Sequence, residues 1–256
     1  MNTWILSALL LTQLPPGGPP VAVPTCARPV LPADAARRAV ALGFLSSRAW
    51  LEIGLSGSKK ADTIKELQLR KKNLASRAQA LGVLTVMTQK EAALFQAPLG
   101  SWERAQVQDV SWAMEGAGTL LWALGVVDTL PGPGAPLSMD VALRPIMPTG
   151  AAETLLKSPR LRPGAELGRA WGEAELFAWR AGMDVARRKA KANTLEDSTR
   201  ATLQRALAAG LTSRHVEGDL LSGATPVSRL DGRGLGTLVS SARARANALR
   251  WVCGER

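Results

Sequence analysis

Between Ser111 and Gly125 the chain reads SWAMEGAGTLLWALG, a run whose spacing suits a helix and little else. At about 100° per residue, Trp112, Glu115, Thr119 and Trp122 fall within one sector of roughly 80°. Leu120, Leu121 and Leu124 widen the apolar surface, so the helix is expected to be buried on most sides. A carboxylate on that face is costly to bury unless it is paired, hydrogen-bonded or protonated. Glu115 is therefore read first as a structural carboxylate held by an arginine or a backbone N–H. The alternative is an acid or base with a raised pKa lining a Trp-walled pocket.

The same period recurs along the chain. Helices are expected over Ala35–Leu55 with Asp34 as its cap, and over Ala61–Ala80 with Asp62 as its cap. Thr88-Gln89-Lys90-Glu91 has the spacing of a capping box and opens a short helix to Gln96. The Trp112–Trp122 helix stops at Gly125. Further helices are expected over Pro163–Lys191, Thr194–Ala209 and Gly236–Val252. Residues 130–164 carry seven or so prolines and read as a wrapping loop or hinge. Residues 210–236 read as a Gly-rich loop. Nowhere do β-branched residues alternate over a convincing strand. The expected fold is all-α: a compact multi-helix domain over 28–256, of about six to eight helices, with no substantial sheet.

Composition narrows the chemistry. The chain has eight Trp, three Phe and no Tyr, which excludes tyrosine-based catalysis. A formal net charge of +11 invites a nucleic-acid or anionic-surface partner. Its local clusters are Lys59-Lys60, Arg70-Lys71-Lys72 and Arg187-Arg188-Lys189 with Lys191. Each reads more readily as a solvated helix face or helix end than as a phosphate track, because no aromatic residues interleave them.

The N-terminus opens with an apolar run, Trp4 to Leu14, of the length of a signal-peptide core and too short to span a bilayer. A Pro/Gly-rich stretch follows and ends near Ala22 and Ala27. No Lys or Arg precedes the run, which argues against export; an exposed apolar tail on a cytosolic protein argues for it, and the balance favours a cleaved leader within 1–27. Cys26 and Cys253 lie near opposite ends of the chain. They can bridge in an oxidising compartment, or remain two thiols in a reducing one.

No catalytic or cofactor motif assembles. Gly232-Arg233-Gly234-Leu235-Gly236 lacks a Walker lysine and a preceding strand, so no nucleotide cofactor is expected. His215 is the one histidine, and two distant cysteines with one histidine make no ordinary zinc site. Glu173 and Glu175 point about 200° apart on a helix and cannot act as one acid–base pair.

Three stretches carry a family resemblance. Ser111-Trp112-Ala113-Met114-Glu115 running into Leu121-Trp122-Ala123-Leu124-Gly125, with the Leu130-Pro131 turn, resembles the DUF4272 family, a bacterial domain family of unassigned function. Leu161-Arg162-Pro163-Gly164-Ala165-Glu166-Leu167 leading to Trp179-Arg180 is similar to a second stretch of that family. Arg245-Ala246-Asn247-Ala248-Leu249-Arg250-Trp251 is similar to its terminal helix. Two charged positions of the pattern are Ala113 and Ala244 here. The survivors, Glu115 and Arg245, are expected to pair and to join the central and terminal helices, with Trp112, Trp122 and Trp251 packed around them.

The resulting expectation is a non-catalytic helical module that binds a protein or small ligand. An enzyme using Glu115 and a nucleic-acid or anionic-surface binder using the basic clusters are the alternatives.

Overall fold

In the computed structural model, residues 22–190 and 197–255 are described. The expected leader core at Trp4–Leu14, Lys191 and the helix start at Thr194 lie outside them. No helix of the described residues is long and apolar enough to cross a membrane.

The chain is mainly α-helical and divides into two compact units. One comprises Val30–Leu130 and Leu137–Arg162. It contains α1 (Pro32–Ser56), α2 (Ala61–Ala80), α3 (Gln89–Gln96), α4 (Arg104–Ser111), α5 (Ala113–Ala123), α6 (Met139–Leu143) and α7 (Ala151–Lys157). The second comprises the N-terminal segment to Pro29, the link Pro131–Pro136, and Pro163 onward. It contains α8 (Gly164–Lys189), α9 (Asp197–Ala208), strands β1 (His215–Val216), β2 (Asp219–Ser222) and β3 (Thr225–Pro226), and α10 (Gly232–Val252).

In the α1–α7 unit, α1 packs chiefly against α5. Its small residues Ala35, Ala36 and Ala39 are buried beside Val40 and Phe44. Glycine lets α5 sit close to its neighbours. A Cβ on Gly118 would lie 2.5 Å from Leu137 Cδ1, and one on Gly116 would lie 3.1 Å from Leu42 Cδ1. The capping box opens α3 as its spacing indicates: Thr88 Oγ1 accepts from the Glu91 N–H, and the Glu91 carboxylate accepts from the Thr88 N–H.

Other helix ends fall differently from the expectation. Pro32 occupies the first turn of α1, where its missing N–H is harmless, so Asp34 lies inside that turn and Leu31 precedes it as the cap. Asp62 likewise lies within the first turn of α2, behind Lys60. The expected Trp112–Trp122 helix is α5, and the additional helix α4 precedes it, the two meeting at Trp112. There the Glu115 N–H reaches back only to the Trp112 carbonyl, a tight three-residue turn that ends α4 and starts α5. The segment 130–164 carries α6, capped by Ser138, and α7.

In the α8–α10 unit, α8 packs along α10. Leu176, Phe177 and Trp179 of α8 share one core with Leu203 of α9, Leu220 of β2, and Leu235, Leu238 and Val239 of α10. Burying each such side chain contributes about 1.5–3 kcal/mol. The segment 210–236 contains a three-stranded antiparallel sheet of order β1-β2-β3, with His215 opposite Leu220 and Leu221 opposite Pro226. The strands are two to four residues long, too short for an alternating pattern to mark them. α10 begins one turn before Gly236 because Asp231 caps it, accepting from the Gly234 N–H at 2.7 Å.

The segment Pro24–Arg28 lies over α8. Glycines at 164, 168 and 172 repeat every four residues and face it. A Cβ on Gly164 would stand 2.5 Å from the Cys26 carbonyl oxygen, and one on Gly168 would stand 2.2 Å from that of Pro24. Cys26 then forms a disulfide with Cys253 at the end of α10, with Cα atoms 4.8 Å apart.

Candidate functional site

Glu115 sits in the first turn of α5 and is fully buried. Its Oε1 accepts the Leu137 N–H at 2.5 Å. That amide follows the prolines of the 131–136 link, where no helix or ladder supplies it with an acceptor. Thr119, one turn on, donates its hydroxyl to the Glu115 carbonyl and is also fully buried. Trp112 and Trp122, the aromatic members of the expected face, are only half-buried.

Arg245 lies on α10, in the other unit from Glu115. Its guanidinium donates to the carbonyls of Pro131 at 2.8 Å and Ala135 at 2.7 Å. The expected pairing of Glu115 with Arg245 thus concerns residues of different units. Trp251 is half-buried on the same helix.

Other arginines repeat the pattern seen at Arg245. Arg162 donates to the carbonyls of Trp122 at 2.7 Å and Asp128 at 3.1 Å, and stacks over the Trp122 ring at 5.0 Å. Arg77 donates to the carbonyls of Ile146 at 2.9 Å and Pro148 at 2.8 Å, and to that of Met147 between them. Helix ends and proline-interrupted backbone have carbonyls that no ladder satisfies, and the planar five-donor guanidinium satisfies several at once. Carbonyl dipoles thus take up part of the charge of these cations, and Arg77 also has the Glu153 carboxylate at 3.8 Å. A share of the net charge of +11 is spent in this way.

A second set of buried charges does pair. Arg180, beside the buried Trp179, donates from Nε to Asp219 at 2.8 Å. Asp184, one turn along α8 and fully buried, has Arg180 at 3.7 Å, Arg187 at 3.0 Å and Arg188 at 2.7 Å. Arg188 also donates to the Leu230 carbonyl at 2.6 Å. In the other unit Arg48 and Glu52 form a buried pair at 2.6 Å, and Arg48 lies under the Trp102 ring.

The basic clusters therefore separate into structural and solvated members. Arg187 and Arg188 serve Asp184, whereas Lys189 is exposed. Lys71 donates to the Ala97 carbonyl at 2.6 Å, and its pKa is lowered by burial and, next, by the nearby Arg48. Arg70 pairs with Glu66 in full solvent, while Lys59, Lys60 and Lys72 are exposed. Such exposed pairs contribute little. His215 is exposed on β1. Among the described residues no group of three or more His, Cys, Asp or Glu side chains is placed to hold a metal ion.

Where the backbone leaves α5 and returns through α6 and α7, the α1–α7 unit has an open groove of about 780 Å³. Leu124, Val126, Pro145, Leu155 and Pro159 form its apolar wall, and Thr149, Thr154, Ser158 and Arg160 its polar rim. None of the singled-out tryptophans or charged residues lines it. Most of its lining belongs to the proline-rich segment, whose irregularity is the one sequence signal that marks it.

The DUF4272 family model, described as a domain of unknown function, matches residues 12–208. The match takes in the first two resembling stretches and stops before Arg245–Trp251. No curated protein and no solved structure matches the chain.

Proposed function

This chain belongs to the DUF4272 family, and from that starting point we propose that it is a non-catalytic helical module that binds a small ligand or a protein. The observation that carries the reading is the groove beside α5 and α7. It is open to solvent, has an apolar wall and a polar edge, and measures about 780 Å³. The buried charged groups, by contrast, have structural partners.

The enzymatic alternative assigns acid–base work to Glu115 in a Trp-lined pocket. That role requires a carboxylate within reach of substrate. Glu115 is fully buried, binds the Leu137 amide and is not part of the groove lining. The nucleic-acid alternative needs its cations free for phosphate. Arg187, Arg188 and Lys71 have partners inside the fold, so that reading rests on Lys59, Lys60, Arg70, Lys72 and Lys189, with Lys191 outside the described residues.

A tagged native pull-down, eluted gently and analysed for bound protein, small molecules and absorbance at 260 nm, tests the choice. The reading predicts a stoichiometric ligand or protein partner that resists moderate salt. High absorbance at 260 nm that vanishes in salt would overturn it in favour of nucleic acid.

A further inference from the structure

Resting on the binding-module reading, we propose that the groove beside α7 is a site for small amphiphilic carboxylates, with the apolar body on Val126, Pro145 and Leu155 and the carboxylate on Arg160. The groove brings together surface that a folded chain ordinarily hides or neutralises. Val126 is 43% exposed although it lies only three positions beyond Ala123, the buried last residue of α5.

The charge at the rim selects the ligand. Arg160 is exposed and makes no ion pair or hydrogen bond among the described residues. Its neighbour Arg162, two positions on, is engaged by the carbonyls of Trp122 and Asp128. No Asp or Glu lines the groove, so the guanidinium has no internal counter-ion. The Thr149 and Ser158 hydroxyls, also on the rim, make no side-chain hydrogen bond among the described residues.

One guanidinium and two hydroxyls suit one negative charge. A phosphate dianion would need further donors, and nucleobases would need a stacking ring, which the lining lacks. A planar carboxylate matches the fork of Arg160, and an aliphatic body covers the apolar wall.

The test uses the whole chain with decanoate and decan-1-ol as probes, titrated calorimetrically. Decanoate is expected to bind saturably at one site and the alcohol at least about tenfold more weakly, the scale of losing a charged hydrogen bond. Arg160→Gln, at an exposed position, brings decanoate down to the level of the alcohol and leaves the alcohol unchanged. Equal binding of the two probes, or decanoate binding indifferent to Arg160→Gln, overturns the proposal. If neither probe binds while the native protein carries another stoichiometric partner, the carboxylate site is wrong and the binding-module reading stands. If neither probe binds and the native protein is bare, both fall.

Discussion

Arg77 and Arg245 hold proline-interrupted backbone by its carbonyls, Arg162 does the same for the end of α5 and the turn after it, and Glu115 performs the converse task for the Leu137 amide. The spacing of residues 111–125 placed Glu115 on a buried face, because a helix fixes the direction of a side chain from its position alone. That Leu137 would supply the donor was not legible, since the partner lies on a loop whose path depends on packing. Removing the carboxylate strands a buried N–H, so Glu115→Ala should cost roughly 1–3 kcal/mol in denaturant unfolding. The expected pair with Arg245 makes a further demand. Glu115→Ala and Arg245→Ala combined should show a coupling of about 0.5–3 kcal/mol in a double-mutant cycle, and strict additivity would rule the pair out.

Glu91 is the residue through which acid should act. Burial would raise its pKa, but the bidentate Arg38 guanidinium, at 2.6 and 2.7 Å, and the Thr88 N–H outweigh burial and lower it. A carboxyl depressed in the folded state contributes stability above its unfolded pKa, about 4.3. That contribution is lost as pH falls through the folded value. The wild type should therefore lose thermal stability from about pH 4 downward more steeply than Glu91→Gln. Parallel melting curves for the two from pH 7 to 3 would contradict this assignment.

At the scale of elements, helix existence was legible and helix ends were less so. The box at Thr88–Glu91 was readable because all its parts lie within four residues. The Trp112 junction was not, because the apolar period continues through it while the backbone tightens. Short strands β1–β3 left no periodic trace. The glycines of α8 show a conflict between local and tertiary demands. Gly168→Ala improves helix propensity by about 1 kcal/mol. It also drives a Cβ to within 2.2 Å of the Pro24 carbonyl oxygen, a rigid backbone atom. Overpacking of that kind costs about 1–3 kcal/mol, so the substitution should lower the unfolding midpoint despite the better helix former. A raised midpoint would mean that Pro24–Cys26 does not press on α8.

For the molecule as a whole, the Cys26–Cys253 disulfide ties residues 227 positions apart. The sequence left bridge and free thiols both open, because the distance between the chain ends follows only from the packing of α8 and α10. Closing a loop of that length stabilises by about 5 kcal/mol on the chain-entropy model. Reduction, or Cys26→Ser, should lower the thermal midpoint, and an unchanged midpoint would remove the bridge from the account.

The groove beside α7 was the part least legible, since its walls come from residues chosen for no periodic pattern. The binding role assigned to it is tested most directly by native mass spectrometry of the gently purified protein beside its Leu155→Glu variant. The account predicts that the wild type carries a stoichiometric non-covalent species that the variant, equally folded, lacks. A wild type that emerges alone, or a species retained equally by the variant, would contradict it.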